Sequence, residues 1–108
     1  IMTYNGVIGS FYFKLTNSGN LIGEYSNNNI FVVETECAKS RIGNNGFLGK
    51  FKSVWTDGTN KSDVYDLEII LKPGSTLVYG LRWEKKGAIY EGEGFIVDNM
   101  LIGCYKGV

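Results

Sequence analysis

Asp66 with Glu68 and Glu91 with Glu93 stand in i, i+2 pairs whose spacing could support acid–base chemistry. Residues two apart on a strand share a face, so each pair would bring two carboxyl groups to one surface, where unequal burial separates their pKa values. An ordinary solvated strand face has the same spacing, and that is the simpler reading; no catalytic residue is assigned from it. The chain has no histidine, which removes the usual neutral-pH proton carrier and the commonest metal ligand. Cys37 and Cys104 are spaced for neither a zinc site nor a redox pair and read as two reduced, structural thiols, with one long-range disulfide as the alternative. Gly87 to Gly94 contains three glycines but no helix follows, so it is not a phosphate loop. Asp57-Gly58 and Asp98-Asn99 offer too few oxygen ligands for calcium and read as turns. No metal site and no cofactor is predicted.

Aromatic residues are the second source of chemistry. Tyr25, Phe51, Trp55, Tyr65, Tyr79, Trp83, Tyr90 and Tyr105 are the candidate ligand-binding residues, because rings supply apolar area while tyrosine and tryptophan add a polar handle. For any one of them taken singly, packing in a solid core is the simpler reading. Together they favour a cavity, since so many polar-tipped rings are awkward to bury in a dry interior.

The elements that would position them are strands. Alanine occurs only at 38 and 88, and β-branched and aromatic residues recur between clusters of Gly, Asn, Ser and Asp. Period-2 runs predict eight strands near 7–16, 20–26, 30–40, 46–56, 63–72, 76–84, 89–97 and 100–106. The links between them, among them Asn17-Ser18-Gly19-Asn20, Pro73-Gly74-Ser75 and Asp98-Asn99, are short and built from turn residues, so each joins antiparallel neighbours. The predicted fold is all-β, an antiparallel up-and-down eight-stranded barrel, with an open two-sheet β-sandwich as the alternative.

Four segments carry an apolar, Gly, aromatic pattern at alternate positions: Val7-Gly9-Phe11, Leu21-Gly23-Tyr25, Phe47-Gly49-Phe51 and Leu101-Gly103-Tyr105. These glycines read as inward-facing, either bending a closed sheet or leaving room for a ligand. Tyr65, Leu67, Ile69 and Leu71 form one inner face, and Tyr79, Leu81 and Trp83 another. Tyr90, Gly92, Gly94 and Ile96 are placed inward so that Glu91 and Glu93 stay in water. By the same rule Glu34 and Glu36 are placed outside, opposite Phe31, Val33, Thr35 and Cys37.

The pattern resembles the calycin group of meander barrels, which includes lipocalins, fatty-acid-binding proteins and avidins. An avidin-type hairpin is approached by Gly9-Ser10, a strand ending at Thr16, then Gly19, Leu21, Gly23 and Tyr25, and the stretch from Leu77 to Trp83 is similar to an avidin strand ending in tryptophan. The resemblance implies a barrel and places Ser10, Tyr25 and Trp83 at pocket-lining positions. It does not supply a full set of biotin contacts, the hairpin around 63–72 breaks the register, and the lipocalin Gly-x-Trp is absent.

At 108 residues the chain supports one domain, 1–108. With 44% hydrophobic and 20% charged residues it is neither disordered nor a membrane protein by composition. Eleven basic residues balance eleven acidic ones, so no field draws it to nucleic acid or anionic lipid. Met2 as a native start would favour a cytoplasmic protein. The expected partner is a small, mainly apolar or aromatic ligand inside the barrel. The alternatives are a cyclase- or isomerase-type enzyme using the same cavity and a filled structural or interaction domain; a homo-oligomer is compatible with all three.

Overall fold

The alternation of large apolar and polar residues along each strand gives a sheet one dry face, and here the sheet buries that face by closing on itself. The computed structural model describes residues 6–41 and 43–108, so Met2 lies outside the described residues. Nine strands follow in sequence: β1 Ile8–Leu15, β2 Leu21–Asn27, β3 Glu34–Ser40, β4 Gly49–Asp57, β5 Asn60–Lys61, β6 Tyr65–Leu71, β7 Tyr79–Lys85, β8 Ala88–Val97 and β9 Met100–Gly107. Eight of them form an antiparallel barrel in the order β3-β2-β1-β9-β8-β7-β6-β4, closed by pairing of β3 with β4. The ninth, β5, is a two-residue strand that pairs Asn60 with Asp57 and Lys61 with Thr56 inside the β4–β6 connection. The sandwich alternative is therefore not the fold. Predicted strand 30–40 loses its first four residues, because the apolar run Phe31-Val32-Val33 lies in the β2–β3 loop, with Phe31 99% exposed.

Turn chemistry sets the register. Asp98 and Asn99 both have positive φ, as do Lys86 and Gly87, which is the backbone of the primed two-residue hairpin turns whose twist matches that of the strands. Closure depends on the inward glycines. A Cβ on Gly23 would stand 1.9 Å from the Tyr12 carbonyl oxygen of β1, and one on Gly103 would stand 1.9 Å from the Glu93 carbonyl oxygen of β8. The strands coil so sharply at these two points that a neighbour's backbone occupies the place of a side chain. Gly49 differs from the other glycines of the repeat, since its φ of 138° and the Asn44 side chain beside it belong to the β3–β4 connection.

The barrel is packed at one end. Phe13, Leu21, Phe51, Leu67, Ile69 and Leu101 are fully buried there, with Ala38 and Leu81 between them. Tyr79 and Phe47 close this end, their rings 6.5 Å apart. Phe11 and Trp83 form the next level, edge to face at 5.6 Å. Beyond them, towards the end where β3, β6 and β8 begin, the interior residues are Tyr25, Trp55, Tyr65, Tyr90 and Tyr105, all only partly buried. Ile96, placed inward from the sequence, is 38% exposed because β8 has passed the packed core by that point.

Candidate ligand site at the open end of the barrel

One strand reverses its expected phase, and that reversal makes the site. On β3 the inward residues are Glu36 and Ala38, with Glu34 half-buried at the rim, whereas Thr35 and Cys37 face outwards and Val33 lies in the preceding loop at 61% exposure. The expectation that Glu34 and Glu36 are outside is corrected here. Glu36 is 4% exposed, yet its charge is not stranded, because two facing strands supply donors. Ser53 Oγ of β4 donates to Glu36 Oε2 at 2.6 Å, and Trp83 Nε1 of β7 donates to the same oxygen at 2.7 Å. Oε1 accepts no hydrogen bond from the described residues, and no sealed-off side-chain oxygen or nitrogen among them lacks a partner. Oε1 is therefore the oxygen that meets the cavity Glu36 helps to line.

That cavity holds about 230 Å³ and opens at the barrel end where β2, β4 and β9 finish. Phe11, Trp83 and Glu36 form its floor; Tyr25, Trp55, Tyr90 and Tyr105 form its wall. Asn27, Asn29, Ile30 and Asp57 lie at the mouth with Val7. The wall rings are held from behind. Trp55 lies 4.2 Å from Tyr65, the Tyr25 hydroxyl donates to the Thr56 carbonyl, and Asn27 Nδ2 donates to the Tyr105 hydroxyl at 3.0 Å. The Tyr105 hydroxyl in turn donates to the Ser26 carbonyl at 3.4 Å.

Burial dominates the electrostatics. It pushes the Glu36 carboxyl up from 4.5 to about 7, against the two hydrogen bonds from Ser53 and Trp83, which pull it down. The same cause raises the Tyr25 phenol, with further contributions from Tyr105, Glu34, Asp57 and Glu36, and it raises the Tyr105 phenol. Both rings stay neutral donors at ordinary pH, while Glu36 is divided between acid and carboxylate near neutrality. Because Oε2 already accepts two hydrogen bonds, a proton on Glu36 belongs on Oε1, where it points to the cavity.

Five of the eight sequence-predicted residues, Tyr25, Trp55, Trp83, Tyr90 and Tyr105, line this cavity. Tyr65 supports Trp55 from outside the lining, Phe51 is in the packed core, and Tyr79 is at the opposite end. Both candidate catalytic pairs are on the outer surface: Asp66 pairs with Lys52, Glu93 with Lys72 at 2.7 Å and Glu91 with Arg82 at 3.9 Å, while Glu68 is solvated. Ser10 is also exposed on the outer face, so of the three avidin-like positions only Tyr25 and Trp83 are interior. Cys37 and Cys104 are free, in line with the reduced-thiol reading and not with the disulfide, and both are exposed.

No family model, curated protein or solved structure matches the chain. Among the described residues no helix is long and apolar enough to cross a membrane. No group of three or more His, Cys, Asp or Glu side chains converges among them to hold a metal ion.

Sequence reasoning missed Glu36 and its partner Ser53. A signal was present in the parity of β3: Lys39 and Arg41 share a phase with Cys37, and keeping those two cations in water turns Glu36 and Ala38 inward.

Proposed function

We propose that this barrel binds a small, mainly apolar or aromatic molecule in its open end, as a calycin-like carrier would. The observation that carries the reading is the Glu36 carboxyl group, fixed on one oxygen and without a partner among the described residues on the other, at the floor of an aromatic-walled cavity. Apolar walls with a few convergent polar groups are what ligand pockets present, and a buried polar atom without a protein partner is costly unless a guest or water meets it. An apolar void of about 150 Å³ accepts benzene, so a cavity of about 230 Å³ suits a single substituted ring of roughly nine or ten non-hydrogen atoms.

The test is a thermal-shift screen of such compounds, followed by native mass spectrometry of the hits. Compounds of this size raise the melting temperature of the native chain and fail to do so in Asn29→Trp, which places an indole at the mouth without touching the core. Equal shifts in both proteins, or none in either, contradict the reading.

A second reading is favoured by the same carboxyl group. A group that titrates near 7 and lines an aromatic-walled cavity suits a general acid–base catalyst, and an isomerase acting on a small substrate held there needs little else. Turnover that disappears in Glu36→Gln while the compound still binds would move the assignment from carrier to enzyme.

A further inference from the structure

The four wall rings form a closed circuit. Trp55 is 6.4 Å from Tyr25, Tyr25 is 6.5 Å from Tyr105, Tyr105 is 6.2 Å from Tyr90, and Tyr90 is 5.9 Å from Trp55. Successive planes meet at 70°, 70°, 73° and 89°, so the rings stand as panels of a box rather than as a stack. A group at the middle of a collar with those sides is about 4 to 5 Å from each ring centroid, within the ~6 Å over which a cation is attracted to an aromatic face. Glu36 lines the same cavity, with Oε1 accepting no hydrogen bond from the described residues.

The charges around this box are of one sign. Among the described residues Glu36 and Asp57 line the cavity and no lysine or arginine does so, and Glu34 of β3 pairs with Tyr25 of β2 at the rim. Lys85, the lysine beside Tyr65, is ion-paired with Asp63 outside the lining. An anionic guest would meet a carboxylate at the floor and another at the mouth, with no counter-charge among the described lining residues. An ammonium would meet four electron-rich rings on its sides and the Glu36 carboxyl group within the same cavity.

We propose that the occupant is a small aromatic amine in its protonated form, its ammonium group held between the collar and Glu36 Oε1. This rests on the cavity reading and adds to it the charge and donor class of the ligand. A compound such as 2-phenylethylamine, with about nine non-hydrogen atoms, matches the available volume.

Three probes of one shape separate the two claims: 2-phenylethylamine, 2-phenylethanol and phenylacetate, titrated near neutral pH and followed by calorimetry and by tyrosine and tryptophan ring NMR signals. The expected order is amine, then alcohol, then carboxylate, with about tenfold between amine and alcohol from cation–π attraction and a charge-assisted hydrogen bond. In Glu36→Gln, which keeps an acceptor for Ser53 and Trp83, the amine falls to within about twofold of the alcohol while the alcohol's affinity holds. Tyr90→Leu, which opens one panel of the box, also weakens the amine more than the alcohol and guards against a folding defect in the first variant. If the alcohol or the carboxylate binds as tightly as the amine, the cation claim is overturned and the cavity stands. If none of the three moves the ring signals, both are overturned.

Discussion

Glu36 is the residue at which stability and function pull apart. Its carboxyl titrates at 4.5 in an unfolded chain and at about 7 in the barrel. Between those values the folded state holds a proton that the unfolded chain has released, so stability falls as pH rises through that window and levels off above it. A rise of that size corresponds to about 3 kcal/mol. The expected outcome is that chemical denaturation at about pH 5 finds the wild type more stable than at about pH 8 by an amount of that order, and that Glu36→Gln flattens the profile and exceeds the wild type at the higher pH. An unchanged slope in the variant would show that Glu36 is not the group responsible. The residue was hidden in the sequence for a physical reason. The rule that charges stay in water is local, whereas the donors that license the exception, Ser53 and Trp83, come from strands 17 and 47 residues further along the chain.

At the scale of elements the sequence was far more legible. The inner faces of β6 and β7 are those read from alternation, because from Tyr65 to Leu71 and from Tyr79 to Trp83 every inward residue is large and apolar and every charge is outward; Lys85, the last residue of β7, takes the inward phase at the rim, where it pairs with Asp63. β3 was misread where two signals conflict: Phe31 and Val33 set one phase, Lys39 and Arg41 the other, and the first two belong to a loop. The apolar, Gly, aromatic repeat was read correctly as inward at Gly23 and Gly103, where the geometry favours a role in bending, but not at Gly49, which faces Asn44 of the β3–β4 connection. Gly23→Ala and Gly103→Ala should each cost about 3 kcal/mol, since the added methyl meets a backbone oxygen that cannot move without breaking the ladder. Gly80→Ala is the control, because its nearest neighbour would be the Lys72 side chain at 3.7 Å; a cost below about 1 kcal/mol is expected there. Equal losses at all three positions, measured by urea unfolding, would contradict the close-approach account.

The whole molecule is a barrel with unequal ends. The packed end supplies the stability and the open end supplies the site, so the cost of truncation should follow depth. Phe13→Ala and Leu67→Ala should lose about 3 to 5 kcal/mol, as full burial and a residual cavity predict, whereas Tyr90→Ala at the open end should lose about 1 to 2. Closure was legible from eight linkable strands and short turns. The offset between a solid end and a hollow end was not, because it depends on how the registers of eight strands add up around the barrel, which no single segment encodes.

The claim on which site, phase and function all turn is that the Glu36 carboxyl is inside, beneath the aromatic collar. Carbon-detected NMR titration of its carboxyl carbon reads this directly. A midpoint about 7 is predicted, with an abrupt dependence on Ser53→Ala, which removes one of its two donors and moves the midpoint higher. A midpoint in the ordinary carboxylate range, indifferent to that substitution, would place Glu36 in solvent and contradict the account.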